Sequence, residues 1–457
     1  MASSVYDVVV VGAGSVGMPT AMELAAKGMK VLCLDQFASA GQGSNKAAIG
    51  GLRATHSSPA KIRLCLDSLK TFSTWKETHG FDIEWRQGGY MFVAYRPEEA
   101  RTLKELLVVQ KKAGLNIDWY EKDDLLKLAP GLDANGLLGG TFSPEDGSAS
   151  PMLSSAAFHR RAVALGVECR FNERVTAIMR RKGAVVGVRT DKGGYATGCV
   201  VNAAGAWARS LAHLGGQDVP VNPDCHEAGI TEPARRFLEP MVVVIRRTPG
   251  AANYYFYQAH SGQVLFCVTP DPPLIGTDRR ETSEFLPLIA RRMVGLMPKL
   301  ANLKVRRTWR GLYPMTPDGS PVVGRSASLR GYVDAVGMCG QGYMLGPGVG
   351  ALVALVPMLR VRHAVGSFVL GWAGVIAWIA DRRKSEVMAL FAVGLAFYSS
   401  IITRVGDFTL YSNLVLTIAA VVFLIRNRWM SLSFAGLATS YAGYAFWRFL
   451  HEDGWRW

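Results

Sequence analysis

The segment Gly12-Ala13-Gly14-Ser15-Val16-Gly17 follows at once on an apolar run, Tyr6 to Val11, broken only by Asp7, and leads into a helical pattern through Met22, Leu24 and Ala25. Glycines at this GxGxxG spacing, between a strand and a helix, suit the holding of a pyrophosphate. Gly12 permits the tight turn, Gly14 lets the main chain approach the anion, and Gly17 lets the helix pack close to the strand. The N–H groups at the helix start, around Ala13, Ser15 and Val16, then face negative charge. A second strand, Lys30 to Leu34, ends at Asp35 and Gln36. A carboxylate about twenty residues beyond the glycines is placed to accept ribose hydroxyls. GxGxxG alone is weak, but strand, glycines, helix, strand and acid in this order read as a dinucleotide site.

Nicotinamide and flavin dinucleotides share that fingerprint, so the choice between them needs other residues. Val200-Val201-Asn202-Ala203-Ala204-Gly205-Ala206-Trp207 predicts a buried strand running into small residues, at a distance where flavoproteins return to the sheet beside the cofactor. Farther on, Thr316-Pro317-Asp318-Gly319-Ser320-Pro321-Val322-Val323-Gly324 leads to a strand over Tyr332 to Gly337, then to Gly340-Gln341-Gly342-Tyr343-Met344-Leu345-Gly346-Pro347-Gly348. Glycine backbone ahead of a helix offers a donor cluster to the electron-rich pyrimidine end of a reduced flavin. An NAD-dependent dehydrogenase has no need of these segments.

The elements that carry these groups fill residues 1 to about 352, where short β-branched runs alternate with helical stretches and Gly/Pro turns, the rhythm of an α/β enzyme. Lys and Arg total 51 against 36 Asp and Glu, a net charge of +15, but the excess is spread. Neither a basic stripe with interleaved aromatics nor a recognition motif is present, which argues against a nucleic-acid partner. The seven cysteines form no CxxC pair and no Cys/His ligand spacing, so neither a metal site nor a disulfide framework is expected. The N-terminus lacks a basic region before its apolar run, and reads as a strand and not as a secretion signal.

From Ala364 onward the texture changes. Uncharged stretches run from Ala364 to Ala380, Val387 to Thr403, Phe408 to Ile425 and Trp429 to Trp447, divided by short charged links. Each sits at the short end of the roughly 17 to 25 residues that span a bilayer, with Trp372, Trp378, Trp429 and Trp447 as interfacial anchors. Three or four transmembrane helices, and with them a lipid partner, are expected; buried helices of a soluble domain are the alternative. Basic residues flank both ends equally, so orientation does not follow from charge. The expected location is a membrane-associated chain with a multi-pass tail and its head in the cytoplasm, or a cytoplasmic protein if the tail is a fusion of two reading frames.

The glycine fingerprint, Gly43-Ser44-Asn45 running to Gly50-Gly51-Leu52-Arg53, then NAAGAW, TPDGSPVVG and GMCGQGYMLGPG occur in the order found in the D-amino-acid oxidase (DAO) superfamily of FAD-dependent oxidoreductases. The chain most resembles the branch with sarcosine oxidase β subunits, glycine oxidase and dimethylglycine or proline dehydrogenases. The likeness covers about residues 5 to 352, and the tail resembles a fragment of a polytopic membrane protein. The resemblance implies a mixed α/β (α+β) two-domain flavoprotein. A Rossmann-type FAD-binding domain would be assembled from 1–85, 146–215 and 311–355. An antiparallel-sheet substrate domain would come from 86–145 and 216–310, followed by the tail over 356–457.

The implied cofactor is FAD, held by Gly12 to Gly17, Asp35, Gln36, Ser44, Asn45, Gly51, Val175, Ala204, Gly205, Trp207, Gly311 and Gly340 to Met344. The implied reaction is oxidation of the C–N bond of a small amino acid or N-methyl amino acid of the sarcosine, glycine, proline or dimethylglycine class. Hydride passes to flavin N5 and the imine then hydrolyses, with O2, a quinone or a partner protein as acceptor and with partner subunits left open. Arg53 matches an arginine that pairs with the substrate carboxylate, for which a guanidinium offers two parallel donors; otherwise it is a surface or phosphate-side arginine. His226 resembles a histidine near the flavin, or is a packed structural histidine. Tyr254, Tyr255 and Tyr257 either line an aromatic pocket or belong to a strand's core face.

Departures from the family are as telling. Some sarcosine oxidases tether FAD through a cysteine shortly before the TPD motif, where this chain has about Gly311, so noncovalent FAD is expected. A lysine that helps hold the carboxylate gives way to Met344, and no lysine occurs between Lys192 and Lys299. A cation near the flavin stabilises superoxide, so its loss favours a dehydrogenase over an oxidase. The alternative of another class is a membrane-tethered flavin-binding or interaction protein without turnover.

Overall fold

A computed structural model of the chain describes residues 5–355 together with Ile379, Arg382 and Arg383. The chain divides into two compact units, Met1–Ala354 and Leu355–Trp457. Apart from those three isolated residues, the apolar stretches expected to span a bilayer lie outside the described residues. Among the described residues no helix is long and apolar enough to cross a membrane.

The first unit is built on two large sheets. One has six strands in the order Val322–Arg325, Tyr332–Val336, Val200–Asn202, Val8–Val11, Val31–Leu34, Glu168–Arg170. All neighbours are parallel except the first pair. Its central strand is four valines, all buried, as a parallel strand covered on both faces requires. The helix Gly17–Ala26 packs on it, burying Met18, Ala21, Met22, Leu24 and Ala25. The second sheet has eight strands, ordered Val305–Met315, Asn222–Pro233, Gln263–Thr269, Asn253–Gln258, Met241–Val244, Tyr90–Ala94, Gly139–Ser143, Asp118–Glu121. It is antiparallel except where Met241–Val244 runs beside Tyr90–Ala94. One face covers a core that includes Val242, Val244, Tyr254, Phe256, Val264 and Phe266. The opposite face carries Tyr90, Ala228, Val243 and Cys267.

Two local outcomes differ from the pattern in the sequence. The run Tyr6 to Val11 is two strands: Val5–Tyr6 joins a four-stranded sheet, pairing with Ala196 and Thr197, and Val8–Val11 joins the six-stranded one. The break falls at Asp7, whose N–H donates to the Lys30 carbonyl at 2.9 Å and whose carboxylate accepts the Lys30 N–H at 2.8 Å, a side-chain bond standing where the ladder would use a main-chain acceptor. The strand Val305–Met315 runs through the junction between residues 310 and 311, and pairs along its length with Asn222–Pro233.

Candidate functional site

A cavity of about 1000 Å³ is walled by residues of both sheets. At one end lies the Gly12–Gly17 turn. A side-chain Cβ at Gly12, where φ is +109°, would strike the Ala203 carbonyl, and one at Gly17 would strike the Gly12 carbonyl. A Cβ at Gly14 would meet nothing within 4 Å, because that position faces the cavity. No side chain caps the following helix at Val16; Met18 donates to the Gly14 carbonyl and Pro19 has no N–H, so the N–H groups of Val16 and Gly17 are the ones left for an anion.

Asp35 braces this turn. Its Oδ2 accepts the Ala13 N–H at 2.7 Å and its Oδ1 the Phe37 N–H at 2.9 Å, while burial pushes its pKa up. A carboxylate has about four lone-pair sites, so each oxygen keeps capacity for a hydroxyl from the cavity. Glu173, whose N–H donates to the Asp35 carbonyl, is buried on the same wall and accepts the hydroxyls of Thr190 and Tyr195 at 2.7 and 2.6 Å. Trp207 packs edge-on against Phe37, ring centroids 5.4 Å apart.

The second glycine segment closes against the first. A Cβ at Gly346 would strike the Ser15 carbonyl, so the helix that starts at Gly342 lies directly on the turn. Two buried acceptors on the cavity wall, Asn45 Oδ1 and Gln341 Oε1, have no partner, although the Asn45 amide donates to Pro151 O and Ser155 Oγ. Buried polar atoms are seldom left unpaired, and a ligand with N–H or O–H donors would satisfy both. The open face at Gly14, the uncapped helix and these acceptors fit a dinucleotide with a heteroaromatic head. Of the residues expected to hold it, Ala13 and Gly17 stand behind the lining. Gly12, Gly14, Ser15, Val16, Asp35, Gln36, Ser44, Asn45, Gly51, Val175, Ala204, Gly205, Trp207, Gly311 and Gly340 to Met344 all line the cavity.

The other end lies under the eight-stranded sheet. One rung crosses five strands: Phe92 pairs with Val243, Val243 with Tyr255, Tyr255 with Cys267 and Cys267 with Ala228. Residues paired across a sheet point the same way, so the rung forms one mostly apolar wall. Strand alternation sets Tyr254 on one face and Tyr255 and Tyr257 on the other. Tyr255 faces the cavity and Tyr254 the opposite core, whereas Tyr257 is buried with its hydroxyl on the Ile49 carbonyl. The Tyr255 hydroxyl meets that of Tyr313 at 2.9 Å, and burial raises both phenols well above their ordinary value.

His226 lies two residues before Ala228 on the same face, stacked on Tyr313 with centroids 3.6 Å apart. Its Nε2 is 3.2 Å from Asp224 Oδ2, and its Nδ1 is buried without a partner. Burial works to raise the Asp224 carboxyl, but the bonds from His226 and the Cys225 N–H outweigh it and hold the pKa below the usual range. With only 4% exposure, the imidazole reaches the cavity by an edge.

Arg53 is the cation of this end. Its guanidinium lies over the Phe92 ring at 5.7 Å, donates to the Thr55 carbonyl, and approaches His56 Nδ1 at 3.3 Å. Among the described residues no carboxylate pairs with it: the acids on the wall, Asp35 and Glu173, belong to the turn end. Met344, half-buried, stands in the first turn of the Gly342 helix.

Sequence reasoning did not single out Tyr313, Asp224, Glu173 or the rung residues Phe92, Val243 and Cys267. Only Tyr313 carried a local signal, two residues from Gly311 and three before the TPD motif; the others are recognisable only from strand register.

Residues 7–355 match the family described as FAD dependent oxidoreductase (DAO). A glycine oxidase of Geobacillus kaustophilus is 29% identical over 378 residues, which cover 78% of this chain and 97% of that protein. The mitochondrial sarcosine dehydrogenase of Mus musculus is 27% identical over 364 residues, 77% of this chain but 39% of the relative's length. Among solved structures, L-proline dehydrogenase from P. horikoshii is 31% identical with a TM-score of 0.73, covering 77% of this chain and 93% of that one. Family match, glycine turn and donor-hungry cavity agree, and the chain belongs to the DAO family of FAD-dependent oxidoreductases.

Proposed function

We propose that this chain oxidises the C–N bond of a small amino acid or N-methyl amino acid, binding its carboxylate at Arg53 beneath the Phe92–Ala228 rung. The observation that carries the reading is a half-buried guanidinium on the cavity wall with no ion-pair partner among the described residues. A planar, always-charged group in that setting gains most from a carboxylate that accepts two parallel bonds. Among the described residues no acid lines the cavity at this end to balance an ammonium, since Asp224 is taken up by His226 and Asp146 by Ala54 and Thr55, and apolar walls disfavour the charged form, so the substrate amine is held neutral with its lone pair available. The rung excludes water from the reacting carbon, and Tyr255 and Tyr313, protonated at any physiological pH, present hydroxyls and not phenolates. Bound FAD supplies the two-electron sink that takes hydride from the carbon beside nitrogen. The imine product hydrolyses in water.

The electron acceptor in this reading is not O2. No lysine among the described residues lines the cavity, the carboxylate neutralises Arg53, and the other lining arginine, Arg174, stands beside Glu173 at the turn end, so no free cation at the substrate end stabilises superoxide. The division into a noncovalent FAD domain and a substrate domain, and a tail that holds the head at the cytoplasmic face of a membrane, are part of the same proposal.

The test is anaerobic bleaching of the FAD-loaded full chain with sarcosine, glycine, proline and dimethylglycine. At least one should reduce it, and Arg53→Met should raise the KM for that compound about 100-fold, since a charge-assisted bidentate pair contributes about 3 kcal/mol. A chain that binds FAD and is reduced by none of these would refute the assignment.

A further inference from the structure

The main chain around Arg53 points to a residue with no contact to either ligand. Gly51–Leu52 pairs antiparallel with Gly147–Ser148, Gly51 opposite Ser148 and Leu52 opposite Gly147. One step farther, Asp146 comes opposite Arg53, and there the ladder gives way to side-chain bonds. Asp146 is fully buried; its Oδ1 accepts the Ala54 N–H at 2.8 Å and its Oδ2 the Thr55 hydroxyl at 2.6 Å. Its own carbonyl takes the Gly89 N–H at 2.8 Å, beside the strand whose Phe92 lies under the guanidinium. Thr55 is therefore held from two sides, its hydroxyl by Asp146 and its carbonyl by Arg53.

Resting on the reading that Arg53 receives the substrate carboxylate, we propose that Asp146 is a positioning residue for substrate binding: it fixes the 54–55 main chain on which the Arg53 guanidinium is hung. Arginine carries several rotatable bonds, and freezing them before the ligand arrives removes an entropic cost from binding. The Thr55 carbonyl and the neutral His56 ring take the inner edge of the guanidinium and leave donors for the cavity. His56 is kept neutral chiefly by burial, then by the charges of Arg53 and Lys61. Asp146 makes no contact ion pair with Arg53 and the two charges act on each other only at longer range, so it orients the cation while leaving the guanidinium donors for a ligand. An ionised carboxylate, with acceptors only, matches two converging donors. An amide in its place would turn an N–H toward one of them and displace the segment.

The experiment uses the full chain loaded with FAD and reads the visible flavin spectrum as acetate, an amine-free carboxylate, is titrated in. Asp146→Asn should weaken acetate binding about tenfold, the scale of a guanidinium displaced by a fraction of an ångström. Thr55→Val, which keeps shape and charge but removes one bond, should weaken it about threefold. In both variants the KM of the reducing substrate should rise with kcat little changed, and FAD affinity should stay at the wild-type value. Wild-type acetate affinity in both variants, or tighter binding in Asp146→Asn, would overturn the assignment while leaving the role of Arg53 intact. Loss of FAD in parallel with acetate would mean that Asp146 only supports the fold. If the wild-type chain shows no acetate response, the reading of Arg53 fails, and this proposal with it.

Discussion

Gly14 offers a test that separates the cofactor site from the fold. Its absent Cβ would enter open space, with nothing within 4 Å, and its φ lies outside the left-handed range that only glycine tolerates. Ala at this position should leave the stability of the FAD-free protein within about 0.5 kcal/mol, or raise it slightly by narrowing the unfolded ensemble. A pyrophosphate drawn against the main chain there would meet the added methyl group. Crowding a close contact by one carbon costs about 1 to 3 kcal/mol, which corresponds to a dissociation constant raised roughly 5- to 150-fold; Gly14→Val should exceed that. Gly17 behaves oppositely, since a Cβ there runs into the Gly12 carbonyl and something in the main chain must move. Gly17→Ala should therefore lower the stability of the FAD-free protein itself. The assays are denaturant unfolding of the apoprotein and fluorescence titration with FAD. If Gly14→Val binds FAD as the wild type does, no pyrophosphate lies against this turn, and if Gly14→Ala loses as much stability as Gly17→Ala, Gly14 does not face open space.

Two further outcomes follow from single features. Asp334, buried in the six-stranded sheet beside Asn202, has its pKa pushed up by burial to about 6. The folded form thus holds its proton more tightly than the unfolded chain. The stabilisation is fully present below about pH 4 and is lost as pH rises through about 6. Asp334→Asn should reduce the change in unfolding free energy between pH 4.5 and 6.5 by about 2 kcal/mol, measured by urea titration; an unaltered pH slope would show that the carboxyl titrates normally. For the tail, reading four apolar stretches between Ala364 and Trp447 as membrane spans predicts that the full chain stays with the membrane pellet through alkaline carbonate washing, and its release into the supernatant would contradict that reading.

What the sequence could convey divides by whether the residues that act together stand together in the chain. The Gly12–Gly17 turn, Asp35 and the Gly340–Gly346 segment are legible because the residue types and their spacing lie together in the sequence, even though the groups that demand Gly12 and Gly346, the carbonyls of Ala203 and Ser15, come from far along the chain. Asp7 is visible in the run, but its bond to Lys30, 23 residues on, divides a stretch that hydrophobicity alone makes continuous. The substrate end is a different kind of object. Phe92, Val243, Tyr255, Cys267 and Ala228 meet because five strands happen to share one register, and a one-residue slip in any of them would turn its contribution to the opposite face. Alternation tells that Tyr254 and Tyr255 face apart, but only the pairing partners tell which of them meets the cavity. Asp146 sits at the far limit, since Glu145-Asp146-Gly147-Ser148 reads as an ordinary polar turn until the chain opposite is known to be Arg53 to Thr55. A cofactor that recognises main chain is thus announced by motif. A substrate recognised through side chains gathered from distant strands is announced only by register, and for this reason the bond from Thr55 to Asp146, which holds the segment beside Arg53, is found only in the folded chain.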